Sequence, residues 1–379
     1  MHKEVFVIGG CHHNLLGVIR SFGEMCINPF VIIETKDINP YVAKSKYIKK
    51  CWIVEKELSV LGILIKEAGR HGDKPVVIAC ADNLSSLLDT HRDELREYYT
   101  LPGAEEQGRI TKLMNKEEMS RLALQTGFLV PMSVAVDTSE KQCIDIPLPW
   151  IVKPLVSKDG LKSDIERIYT KEDWDEYCNK HSARVQVQQL IDKDFEYQLI
   201  GLSLNSGEEV VIPGVSHVIR PAATTNTGFL HYDPLSDSYC DVLEKGKNFL
   251  KATGYSGLFS LEFLKGKDGS DFFMEINFRN DGNAICVTAA GLNLPYIWYL
   301  YHAGGNYKDI IDNYCIKGVY VMPEFADLSL VIHRELGLRE WLKDIKRTDR
   351  FMEYDKNDKK PFWQLLKVSV LRGFQKMIQ

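Results

Sequence analysis

The sequence lacks most of the marks of a secreted, membrane-embedded or nucleic-acid-binding protein. Its nine cysteines are an odd number, with no C-x-x-C pair and no zinc-type spacing. That fits reduced thiols in the cytoplasm far better than a disulfide framework or a metal site. No apolar run approaches the length of a membrane-spanning helix. The first one, Val5-Phe6-Val7-Ile8, is far too short for the apolar region of a signal peptide. Positive charge is not in excess: 47 Lys and Arg stand against 52 Asp and Glu, a net charge of −5 that argues against broad nucleic-acid binding. There is no internal repeat, no low-complexity tract and no recognisable Ser/His/Asp or Cys/His arrangement. Glycines follow the first strand at Gly9 and Gly10, and Glu34 ends the second, but no G-x-G-x-x-G can be drawn. A nicotinamide-dependent oxidoreductase therefore rests on a partial match only. The adjacent His12 and His13 lack a third metal ligand and read as loop or pocket residues.

What is present is an ordinary globular composition, 45% apolar and 26% charged, over 379 residues, enough for two to three domains. Residues 1–100 alternate strand and helix signals: strands at Val5–Ile8, Phe30–Ile33 and Pro75–Ala79, and helices at Leu15–Met25 and Leu58–Ala68. Alternation of this kind implies a parallel, doubly wound α/β sheet. A helix is expected over Thr111–Thr126, stopped by Gly127. From Trp150 to about Tyr320 strands and loops dominate, with helices near Lys171–His181, Asp241–Thr253 and Asn293–Ala303, so this part reads as α+β.

The most informative stretch runs from Ser260 to Asn277. Asp268-Gly269 suits a two-residue type I′ hairpin loop, where both central positions need positive φ. Folding about it pairs Ser260 with Asn277, Glu262 with Glu275 and Leu264 with Phe273. Alternation then puts Phe259, Leu261, Phe263, Phe272, Met274, Ile276 and Phe278 on one apolar face. Two carboxylates end up opposite each other on the other face, where like charges destabilise a sheet unless a cation compensates. Oxygen ligands in small number suit Mg²⁺ or Mn²⁺ bridging to nucleotide phosphates. The bland alternative is a hairpin with a solvated acidic face.

Two other segments carry chemistry. Trp150-Ile-Val-Lys153 is an apolar strand ending in a lysine, followed by the polar loop Leu155–Ser163 with Ser157 and a lone Gly160, a plausible phosphate clamp. Val185–Ile191 then delivers Gln188 and Gln189, and Glu196 follows as a carboxylate suited to ribose hydroxyls.

In this order the pieces resemble the ATP-grasp superfamily. The resemblance implies a Rossmann-like pre-ATP-grasp α/β domain over residues 1–105, an α+β ATP-grasp domain over 106–325 and a C-terminal helical extension over 326–379. It implies that Lys116 and Lys153 are the nucleotide lysines, that Ser157 and Gly160 belong to the phosphate loop, and that Gln188, Gln189 and Ile191 form the adenine hinge. Glu196 would hold the ribose, and Glu262, Glu275 and Asn277 would hold Mg²⁺ or Mn²⁺, the last two within a stretch similar to the E-x-N-x-R signature. Arg279 and Arg220 would act on the transferred phosphoryl group or an anionic substrate. The sequence departs from the pattern where Gln188 replaces a common acidic residue, where Phe278 replaces the usual proline, and where the phosphate loop is poor in glycine.

Such proteins phosphorylate a carboxylate with ATP and let an amine attack the acylphosphate. The C-terminal section, with Gly318–Asp327 and Lys360-Pro-Phe-Trp, more loosely resembles members tied to D-amino-acid ligation and cell-envelope or surface-polysaccharide synthesis. The implied partners are a small-molecule acid and an amine, with a homodimer common among such ligases. Alternatives are carbamoyl-phosphate-synthase-like or carboxylase chemistry on bicarbonate, and a nucleotide-binding module without turnover. From Val331 onward there are 12 Lys and Arg against 7 Asp and Glu, and Trp363, Leu366, Val370, Phe374 and Met377 form a helical stripe. A helix of this kind suits a membrane surface or simply its own domain.

Overall fold

The computed structural model describes residues 3–140, 144–154, 165–221 and 227–378. Three sheets organise it. The first is built from β1 (Val5–Gly10), α1 (His13–Gly23), β2 (Phe30–Glu34), β3 (Lys50–Val54), α2 (Glu57–Glu67), β4 (Val76–Ala79) and α3 (Asp82–Thr90). Its four strands are all parallel, in the order β3-β2-β1-β4. Val5, Val7, Val31 and Ile33 pack with α1 on one face, while Phe6, Ile8 and Ile32 pack with Val60 and Leu64 of α2 and Leu84 and Leu87 of α3 on the other. Burial on both faces is why these strands read as continuous apolar runs. Lys50–Val54 escaped the sequence reading because its strand lies at the sheet edge and is only partly buried.

The helix expected over Thr111–Thr126 is interrupted. After α4 (Arg92–Leu95), α5 (Arg109–Leu113) ends and α6 (Lys116–Gln125) begins afresh, because the Asn115 side chain accepts the N–H groups of Glu117 and Glu118. Lys116 therefore opens a helix. Gly127, at φ +92°, follows its end as expected.

A small antiparallel sheet, β5-β8-β6-β7, is formed by β5 (Ser133–Asp137), β6 (Trp150–Pro154), β7 (Glu166–Ile168) and β8 (Arg184–Gln189), with α7 (Lys171–Lys180) between the last two. The large sheet contains β9 (Lys193–Leu204), β10 (Glu209–Val211), β11 (Gly214–Pro221) and β12 (Gly228–Pro234). After α8 (Cys240–Thr253) it continues with β13 (Gly257–Gly266) and β14 (Asp271–Asn277). Helices α9 (Ile285–Ala290), α10 (Leu294–Ala303) and α11 (Tyr307–Asn313) precede β15 (Val319–Met322), α12 (Glu324–Ile332), α13 (Leu338–Arg347), β16 (Arg350–Phe351) and α14 (Lys360–Ile378). The order of the large sheet is β14-β13-β9-β11-β12-β15-β16, with β10 on β9. The last fifty residues thus supply a strand as well as helices. They are anchored by Arg20, 1% exposed, which meets Asp358 at 3.3 Å and donates to the Met352, Glu353 and Asp358 carbonyls.

The β13–β14 hairpin pairs Ser260 with Asn277 and Glu262 with Glu275, as the alternation requires. Two details differ. Beyond Glu262 the register shifts, so Phe263 pairs with Phe273 and Leu264 with Phe272. A bulge at Met274 causes this: Phe273 turns into the core and stacks on Phe128 at 5.1 Å, while Phe272 and Met274 are only partly buried and leave the apolar face. The loop is not type I′ either. Only Gly269 has positive φ, +86°, and the Gly269 and Gly266 N–H groups donate to the Gly266 and Ser270 carbonyls. Asp268 avoids the left-handed region, which costs a residue with a Cβ, and its side chain instead accepts the Ser270 N–H at 3.0 Å.

Candidate active site

The hairpin lies where the three sheets converge. A cleft of about 1000 Å³ separates the small sheet from the large one. Lys153 of β6, Gln186 and Gln188 of β8, Gln189, Ile191 and Glu196, Glu262 of β13, and Met274 and Glu275 of β14 line it, with Lys116 at the start of α6. A second cavity of about 660 Å³ adjoins the first and shares Lys116, Gln198, Glu262 and Glu275 with it. Its far wall is made by Gly10, His12 and Asn14, at the end of β1 and the start of α1, and by Cys80, Asp82 and Asn83 after β4. Those two strands flank the point where the parallel sheet reverses its order, the crevice in which open α/β sheets take ligands.

Glu262 and Glu275 face each other at the junction. Glu262 accepts hydrogen bonds from Asn277 at 2.9 Å and Gln198 at 3.1 Å. Asn283 in turn donates to Gln198 at 2.8 Å. Burial first, and the charges of Glu275 and Asp281 next, push the Glu262 carboxyl well above the usual carboxylate range. Burial also raises Glu275, with Lys116, Arg279 and Lys153 partly offsetting it. Opposed, half-buried carboxylates that resist ionisation are a donor set that suits a cation. Among the described residues no group of three or more His, Cys, Asp or Glu is arranged to hold an ion unaided. Two carboxylates with an amide nevertheless fit Mg²⁺, which commonly completes its shell with water and substrate phosphate.

Cations converge on the same spot. Lys153 donates to Gln188 at 2.6 Å, and burial together with the nearby Lys116 pushes its ammonium down to about 8. Arg279 donates to both carboxylate oxygens of Asp82, at 2.9 and 3.0 Å, and to Asn277 Oδ1 at 2.9 Å. It is held there because the segment after β14 is stitched to the parallel sheet. Asn280 N–H donates to the Ala79 carbonyl, Ser85 Oγ to the Phe278 carbonyl, and Asn14 Nδ2 to the Cys80 and Asn280 carbonyls.

Lys116, Lys153, Gln188, Gln189, Ile191, Glu196, Glu262, Glu275, Asn277 and Arg279 thus line this paired cavity. Ser157 and Gly160 lie outside the described residues. Arg220 stands apart from both cavities. Its guanidinium is taken by Asp327, at 2.8 and 2.9 Å, and by Asp344 at 2.9 Å, so its charge is spent binding the C-terminal helices to β11. The amide of Gln188 accepts from Lys153 rather than standing free for a base edge. The sequence reading passed over Gln186, Arg167, Met274, Gln198, Asp82 and Asn83, all of which line the cavities. Gln186 could have been found by strand alternation from Gln188. Met274 could not, because only the bulge turns it inward.

No family model matches the chain. In sequence it is similar to the D-aspartate ligase of Enterococcus faecium, 22% identical over 316 residues that make up 76% of this chain and 74% of that protein. In structure it is similar to the N5-carboxyaminoimidazole synthetase of Staphylococcus aureus, with a TM-score of 0.67 and 14% identity over 89% of this chain and 87% of that one. It is also similar to an L-amino acid ligase of Bacillus licheniformis, with a TM-score of 0.59 and 14% identity over 79% and 74% of the two chains. The chain shares the fold of these enzymes and of a biotin carboxylase, in agreement with the ATP-grasp resemblance read from its sequence.

Proposed function

We propose that the chain is an ATP-dependent, ADP-forming carboxylate–amine ligase acting on an amino acid or a sugar acid, with a place in cell-envelope or polysaccharide synthesis. The observation that carries this reading is the junction itself. Two half-buried, opposed carboxylates and three cations meet between a cleft sized for a nucleotide and a cavity at the reversal point of a parallel sheet. The parallel sheet is read as the Rossmann-like pre-ATP-grasp domain, residues 1–105, and the two antiparallel sheets as the grasp domain, residues 106–325.

In this reading the base lies by Gln189, Ile191 and Met274, and Glu196 takes the ribose. Lys116 and Lys153 bind phosphate oxygens. Glu262, Glu275 and Asn277 would hold one or two Mg²⁺ ions, which supply charge neutralisation on the phosphates when bound. Substrate carboxylate oxygen attacks the γ-phosphorus, the bond to the β-phosphate oxygen breaks and ADP leaves. The amine nitrogen then attacks the acyl carbon, phosphate departs with the bonding pair, and the nitrogen loses its proton. Arg279, fixed by Asp82, stabilises the oxygens that gain charge in both steps. This route needs no covalent nucleophile from the chain.

Bicarbonate activation is the second reading, favoured by the extent of the likeness to the N5-carboxyaminoimidazole synthetase. Release of ADP in panels of amino acids, sugar acids and amines, each with and without bicarbonate, separates the two. Turnover that requires an acid–amine pair, and that Glu275→Gln abolishes, supports the ligase. ADP release that depends on bicarbonate alone refutes it, and near-wild-type activity of Glu275→Gln refutes the metal assignment.

A further inference from the structure

Helix α13 is seated unusually for a helix that serves only its own core. Its one buried residue is Asp344, whose carboxylate meets Arg220 and Arg347 at 2.9 Å each. Its apolar arc is only partly covered. Trp341 and Ile345 are half-buried, while Leu338 and Leu342, one turn apart, are 57% and 46% exposed. Ile332, at the end of α12, is 69% exposed. Beside the exposed leucines on the outer side of the helix stand Arg339, Lys343 and Lys346, all exposed. An amphipathic helix normally buries its leucines and shows its charges; this one shows its leucines beside its charges and buries an aspartate.

Charge is sorted in the same direction. Between Val331 and Val370 the four buried charged residues, Asp344, Glu353, Asp355 and Asp358, are all acids. The exposed ones are nine Lys and Arg against three Asp and Glu, in a chain whose net charge is −5. The fold turns the acids of this segment inward and its cations outward.

We propose that α13 and the end of α12 form a docking surface for an anionic lipid bilayer. Leu338, Leu342 and Ile332 enter the boundary between headgroups and acyl chains. The flanking arginine and lysines lay their stems along it and reach the phosphates. A second copy of the chain is a poor occupant, since a two-fold contact through this face would set cations against cations. Nucleic acid is a poor occupant as well, because leucines rather than polar groups hold the centre. The surface is separate from the paired cavity and does not depend on the ligase reading.

The test is co-sedimentation of the full chain with vesicles of phosphatidylcholine alone or mixed with phosphatidylglycerol, at low and high salt. Leu338→Gln/Leu342→Gln and Lys343→Glu/Lys346→Glu serve as variants. These positions are exposed, so an unchanged thermal midpoint is expected and establishes that both variants fold. Binding to the anionic vesicles only, weakened at least tenfold in either variant and by high salt, supports the proposal. No binding by the intact chain, or binding that both variants retain, overturns it. So does light scattering that shows a dimer dissolved by the leucine substitutions.

Discussion

Lys153 should make nucleotide binding take up protons. A lysine side chain ordinarily titrates at 10.5, but burial and the neighbouring Lys116 push this one down to about 8. The gap corresponds to roughly 3 kcal/mol held against the charged form. Phosphate oxygens placed beside the amine would reverse that balance and restore the proton. At pH 8.5 a group titrating at about 8 is about three-quarters neutral, so binding should draw in about 0.7 proton, against about 0.1 at pH 7. Affinity should fall as pH rises above 8, approaching about tenfold per unit. The sign for stability is opposite. Because the folded-state value is depressed, the unfolded chain holds more protons between about 8 and 10.5. This group therefore makes the nucleotide-free protein gain stability as pH rises through that window. Calorimetric titration with Mg-ADP at pH 8.5, in two buffers of different ionisation heat, counts the protons. Lys153→Met removes the lysine's share while any proton released at Glu262 and Glu275 persists, so the difference between the two proteins isolates it. Equal proton counts would refute the reasoning.

The carboxylate pair carries the reverse linkage. Glu262 is raised above its ordinary value, so its folded state holds extra protons and the metal-free protein should lose stability as pH climbs from 4.5 through the raised value. Added Mg²⁺ should reverse that loss, and Glu262→Gln should diminish both effects in thermal melts from pH 5 to 8, with Glu275 keeping its own share; a variant that melts like wild type with and without Mg²⁺ would exclude the pair as a metal site. The Arg20–Asp358 contact is buried on both sides, at 1% side-chain exposure each. Arg20→Met, which leaves Asp358 uncompensated, should cost about 3–5 kcal/mol in denaturant unfolding, and a loss under about 1 kcal/mol would mean the C-terminal segment is not part of the cooperative core.

Sequence alone determined the features that depend on local periodicity. Alternation along Ser260–Asn277 set Glu262 against Glu275, because a strand can reverse its faces only by slipping one residue. The apolar runs at Val5, Phe30 and Val76 marked strands covered on both sides, and Gly127 marked a helix end. Tertiary structure decided whatever depends on contacts between distant segments. The bulge at Met274 follows from Phe273 finding a better site against Phe128 and Phe249 than strict alternation would allow it. Asp82 meets Arg279 across 197 positions because Asn14 and Asn280 clamp the segment after β14 to the parallel sheet. Arg220, which looks in sequence like any strand-end cation, is claimed by two aspartates more than a hundred residues away. A guanidinium goes to whichever carboxylates the completed fold brings within reach, and no spacing rule along the chain encodes that distance.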